Sequence, residues 1–173
     1  MNKNKGFSLM ELVIVIAMIG ILTAIAVPGM KSWREAHKVS SSAGTIRSIL
    51  ELAKAEAVKN QENVAVSFTI GTGTAGSYSV FIDDGPTPEV YDAGELIIRA
   101  GNVQDSVTLY DISFTGAMSN VARLNQMGLA SGSGGDVSIR SDGNPMFKKI
   151  LLSESGVTRV QSSATGASGS WID

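Results

Sequence analysis

An α+β fold is what this 173-residue chain predicts: one long N-terminal helix, apolar first and amphipathic afterwards, packed on a C-terminal antiparallel β-sheet or small sandwich. Three observations carry that reading. An almost unbroken hydrocarbon run fills Leu12 to Val27, interrupted only by Gly20 and Thr23. Apolar residues then recur at helical spacing from Ile46 to Ala57. After Val64 the period shortens to two and glycines punctuate it, the pattern of short strands and turns.

Composition narrows the function classes before any motif is read. The chain is 43% hydrophobic and 17% charged, enough for one globular core with some length left over. It has no cysteine, which removes disulfides, thiolate ligands and thiol nucleophiles. His37 is the single histidine and lies beside Lys38, so a Ser-His-Asp triad or histidine metal cluster has no base. No P-loop or nucleophile elbow is written in the chain, and an enzyme is not expected. The formal net charge of −2 offers no general attraction to nucleic acid.

The first element is the greasy segment. From Phe7 to Val27 a helix would measure about 30 Å, enough to cross a bilayer core, and a helix satisfies its own backbone there. Glu11 sits at its lip. A carboxylate at the centre of a span costs about 2.5–3.5 kcal/mol, less near the interface, so its retention asks for a partner. The plain rival is a signal peptide, with Lys3 and Lys5 as the basic region and Ala24-Ile25-Ala26 as a cleavage site. Such an apolar region runs about 7–15 residues without an acid; this one is longer and opens on Glu11. Pro28 removes a backbone donor and kinks or ends a helix. Helical periodicity resumes beyond it, which favours a bent continuous helix over a stop at Pro28-Gly29.

Lys5-Gly6-Phe7-Ser8-Leu9-Met10-Glu11-Leu12, then the apolar run and Pro28, resembles the class III leader of type IV pilins and type II secretion pseudopilins. The resemblance implies that a prepilin peptidase cuts between Gly6 and Phe7 and that Phe7 is then N-methylated. It also implies the pilin fold, with residues 7–28 as the transmembrane and filament-core helix. The cut would place a positive α-amine on Phe7, four residues before Glu11. Positions four apart share a helix face, and the macrodipole favours an acid in the first turns. Glu11 would then be neutralised within the chain or, as the family implies, by a neighbour's amine during assembly. Without that amine it would only snorkel to the interface.

The second element continues from there. Residues 29–62 form a neck and amphipathic helix, in which Ile46, Ile49, Leu50, Ala53 and Ala57 make one stripe for packing on a sheet. Lys31 to Gly44 includes Ser40-Ser41-Ser42, poor helix formers, and reads as a mobile neck. Leu52 to Val66 resembles the helix-to-strand junction of the secretion protein H (GspH)/FimT minor pseudopilin branch. The β-rich head occupies 63–161. Strands are expected at 64–70, 78–82, 95–99, 107–110, 112–114, 137–140, 146–152 and 157–161. Residues 162–173, rich in Ser and Gly, read as a flexible tail that Trp171 would dock.

Two stretches invite other chemistry. Gly71-Thr72-Gly73-Thr74-Ala75-Gly76 has the G-x-G-x-x-G form, but a dinucleotide site needs a helix next. A strand pattern follows instead, so the glycines read as a hairpin loop. Asp83, Asp84, Glu89, Asp92 and Glu95 cluster oxygens that a calcium ion would accept. Their spacing matches no EF-hand, and they read as solvated loop charge.

The function implied is a minor subunit of a type II secretion pseudopilus or type IV pilus, assembling through the N-terminal helix. Its partners would be other pilins, the prepilin peptidase and an inner-membrane assembly platform. It would span the bacterial inner membrane once, with the head in the periplasm. The alternative is a FimT-like minor pilin that binds DNA for natural transformation. Those members use Gly-Arg-x-Arg near the end of the head; here Gly156-Val157-Thr158-Arg159 keeps only Gly156 and Arg159. Lys148, Lys149, Arg123 and Arg140 would have to complete the patch. Loss of Lys3 and Lys5 leaves 12 basic against 16 acidic residues, a net −4, which argues against nucleic acid. A third reading, a tethered periplasmic binding module, predicts that Glu11 is dispensable.

Overall fold

The computed structural model describes residues 7–71, 76–141, 144–167 and 169–173. Among these residues one helix, α1 (Leu9–Asn60), precedes eight strands: β1 (Val64–Thr69), β2 (Ser77–Ile82), β3 (Ile97–Asn102), β4 (Val107–Phe114), β5 (Val121–Leu124), β6 (Gly134–Ser141), β7 (Asn144–Ser153) and β8 (Thr158–Ser163). They form two four-stranded antiparallel sheets, ordered β3-β2-β1-β5 and β4-β6-β7-β8. The chain divides into two compact units, residues 1–34 and 35–173.

In the first unit α1 is helical through Pro28 without a break, and every described side chain from Phe7 to Arg34 is exposed. Thr23 donates its hydroxyl to the Ile19 carbonyl at 2.7 Å, so the one hydroxyl of the run is satisfied by its own helix.

In the second unit one core draws on the helix and both sheets. Val39, Ala43, Ile46, Ile49, Leu50, Ala53 and Ala57 are all at most 1% exposed. They recur at three- and four-residue steps and meet Val64, Val66, Phe68, Leu109, Val137, Ile139 and Ile150 in a single cluster. Phe68 stacks on Phe114 at 5.9 Å, joining the two sheets. The expected stripe is therefore core. The expected mobile neck is instead helical, and Val39, Ser42 and Ala43 are buried. Tertiary contacts outweigh weak propensity there: Ser42 Oγ accepts the Gln104 amide at 3.4 Å, and Gln104 Nε2 donates to Ser41 Oγ at 3.3 Å. Gln61, in the left-handed region at φ 56°, ends the helix where a glycine is usual.

The head departs from the expected strands in several places. Residues 107–114 form one strand rather than two. A bulge between Leu109 and Asp111 lets Leu109 and Ile112, three apart, both pair inward with β6. β5 was not anticipated, because four residues make a weak period-two signal; it pairs with β1 through Val64↔Leu124. β3 begins two residues later than expected. The tail is tied down: Ser162 and Ile172 exchange both backbone hydrogen bonds, at 2.8 and 3.0 Å. Lys149 Nζ lies 5.0 Å from the Trp171 ring centroid, the docking expected of that residue. The glycine motif joins β1 to β2, whose last pair is Thr69↔Ser77. β1 and β2 therefore pair as a hairpin, and residues 72–75 of the motif lie outside the described residues.

Candidate functional site

The first candidate site, the expected assembly end, lies at the helix start. Gly6 lies outside the described residues, and Phe7 is 81% exposed just ahead of α1. Ser8 caps the helix: its Oγ accepts the Glu11 amide at 3.4 Å, and its carbonyl accepts the Leu12 amide at 3.2 Å. Ser8-Leu9-Met10-Glu11 is the Ser-x-x-Glu pattern of a capping box. That signal was legible in the sequence and fixes Glu11 in the first turn, where the helix dipole stabilises a carboxylate by about 0.3–1 kcal/mol. Because α1 begins at Leu9, Phe7 is not helical. Helical spacing alone then does not stack its nitrogen over Glu11.

The basic residues of the head do not form one patch. In β7, Ile150 and Leu152 are core residues, and strand alternation sets Lys148 on their face and Lys149 on the other. Lys149 pairs with Asp136 at 3.3 Å. Arg140 lies over the Tyr110 ring at 5.7 Å. Arg123 is on the other sheet, paired with the buried Asp83. Arg159 is exposed and borders an open groove of about 530 Å³ with Asp136, Leu151 and Val157. Of the residues matching the Gly-Arg-x-Arg positions, two serve the fold. Gly156 has φ 68° and its carbonyl accepts Lys54 Nζ at 3.0 Å, while Thr158 is buried and donates its hydroxyl to Glu51.

Of the acidic stretch, Asp84 is exposed as expected, but three of the carboxylates are not solvated charge. Asp83, Glu89 and Glu95 are 2%, 6% and 9% exposed. Asp83 accepts the Glu89 amide at 3.2 Å and faces Arg123; Glu89 accepts the Met118 amide at 2.6 Å. Glu95 accepts the Gly85 and Asp92 amides at 2.9 and 2.7 Å, and Asp92 accepts the Thr87 amide at 3.1 Å. The carboxylates organise the loop between β2 and β3, which covers a small outer cluster of Ala65, Phe81 and Val121, with Tyr91 edge-on to Phe81 at 5.5 Å. Charge without hydrophobic spacing gave no sign of that burial. Among the described residues no group of three or more such side chains is placed to hold a metal ion.

Comparison with known proteins agrees with this architecture. The prokaryotic N-terminal methylation motif matches residues 1–27, and the type II transport protein GspH family matches residues 42–156. A fimbrial protein of Pseudomonas aeruginosa is 34% identical over 65 residues, 38% of this chain and 42% of that protein. Fimbrial protein Q of Moraxella bovis is 49% identical over 53 residues, 31% of this chain and 30% of that protein. The chain thus spans less than half the length of these curated relatives. In fold it is similar to the type IV minor pilin FimU of Pseudomonas aeruginosa, with TM-score 0.55 and 14% identity over 74% of this chain and 91% of that one. It is similar also to the minor pseudopilin EpsH of Vibrio cholerae, with TM-score 0.51 and 14% identity over 71% of this chain and 95% of that one. A capped apolar helix behind a methylation motif, joined to a head that the GspH family matches through most of its strands, leads to one conclusion: the chain belongs to the type II transport protein GspH family of pilin-like proteins.

Proposed function

We propose that this protein is a minor pilin or pseudopilin that assembles into a filament through α1. One observation carries the proposal: 28 consecutive residues, Phe7 to Arg34, mostly apolar, are exposed at every described side chain. Apolar surface on that scale marks a membrane or protein interaction. The helix is long and apolar enough to cross a membrane. In the resting state lipid covers it, and in the filament other subunits do. Head-to-tail packing of one helix on the next is open-ended and so builds a filament.

In this account the prepilin peptidase cuts between Gly6 and Phe7, and Phe7 is N-methylated. Glu11 is neutralised by an α-amine as the helix enters the bundle, and Pro28 supplies the bend. The subunit waits in the bacterial inner membrane with its head in the periplasm, served by the inner-membrane assembly platform. Such a role is structural rather than enzymatic. The test is incorporation: E11A should leave the head folded and the chain in the membrane but absent from sheared filaments. Normal incorporation of E11A would contradict the assembly role and favour a tethered module.

A further inference from the structure

Beyond Val27 the helix changes character within two turns. Lys31, Ser32, Trp33 and Arg34 are exposed, Trp33 at 67%. Lys31 and Arg34, three apart, share one flank, whereas Trp33 lies on the flank of Met30 and Ala26. No acid stands between Leu12 and Arg34. The first one after them, Glu35, pairs with Lys38 at 3.1 Å and accepts the Ser141 hydroxyl at 2.7 Å. Among the described residues neither Lys31 nor Arg34 is in an ion pair. At about 1.5 Å per residue the two cations lie about 6–10 Å past Val27. The headgroup layer outside the hydrocarbon core is about 5–8 Å deep on each side, and long cationic side chains reach back toward it.

We propose that Lys31, Trp33 and Arg34 form an interfacial collar that binds anionic phospholipid headgroups and sets the depth of the span. This rests on α1 crossing a membrane, as argued under the proposed function. The indole sits at the boundary that tryptophans favour, and the two cations attract anionic headgroups by simple charge complementarity. Charge complementarity and continuity with the span point to lipid as the occupant of this turn.

The test uses the full-length chain carrying W171F, so that Trp33 is the single tryptophan and is excited selectively over the three tyrosines, in vesicles of phosphatidylcholine with one-third phosphatidylglycerol. Trp33 should be quenched by lipids spin-labelled near the headgroup. Labelled phosphatidylglycerol should quench several-fold more than labelled phosphatidylcholine, and that preference should vanish in K31Q/R34Q with the span still resistant to alkaline carbonate. Trp33 as open to aqueous acrylamide as free tryptophan, or equal quenching by the two lipids, in a carbonate-resistant chain overturns the collar alone. Carbonate extraction of the chain overturns the span and the collar together.

Discussion

At Gly156 conformation and space act together. Its φ of 68° suits glycine, and a Cβ there would collide with the Gly128 carbonyl oxygen. The same residue accepts Lys54 Nζ, so the turn between β7 and β8 is clamped to α1. Gly156→Ala should therefore cost about 1–3 kcal/mol from backbone strain before any movement of Gly128, read as a lower midpoint in chemical denaturation. Gln61 presents the opposite case, a non-glycine in the left-handed region at the end of α1. Gln61→Gly should stabilise by up to about 1 kcal/mol and raise the melting temperature. A lone glycine in a sequence does not reveal its φ, so these roles were illegible beforehand. Gly156 in particular read as a turn glycine and as part of a DNA-binding match, and neither reading signalled the bond that its carbonyl accepts from Lys54. The acidic residues were legible as charge, but their burial depends on amides supplied by residues up to 29 positions away, as Glu89 with Met118 shows.

At the scale of elements, the two stretches of α1 separate by what covers them. Ile46 is fully buried and Ile19 is 56% exposed. Ile46→Ala should destabilise the head by about 2–5 kcal/mol, whereas Ile19→Ala should leave the head's unfolding midpoint unchanged in detergent. Similar midpoints for the two variants would contradict this division. The helical stripe and the long alternating strands were legible because periodicity reports the face an element buries. The bulge in β4 was not, since it breaks the period on which the reading depends. β5 was too short to show one, and the serines of the neck are held helical by Gln104, distant in sequence. The end of the tail, likewise, is fixed by backbone pairing with β8 that Ser and Gly composition cannot signal.

For the whole molecule, charge and exposed surface decide the partners. Basic residues are split between the two sheets and the two faces of β7, and Lys149 and Arg123 are already paired with acids. Such dispersal lowers the number of phosphates the head can neutralise at once. A gel shift at low salt should accordingly show no tight DNA complex. Salt-sensitive binding abolished by Arg159→Ala would instead establish the FimT-like role. The large apolar surface among the described residues is the exposed helix, and the proposed use of that helix in a filament rests on a new chain end that neutralises Glu11. Intact-mass spectrometry of the protein purified from its native membrane tests that dependence most directly. The account predicts a chain beginning at Phe7 and heavier by one methyl group; a chain beginning at Met1, or at Val27 after a signal-peptidase cut, would contradict it.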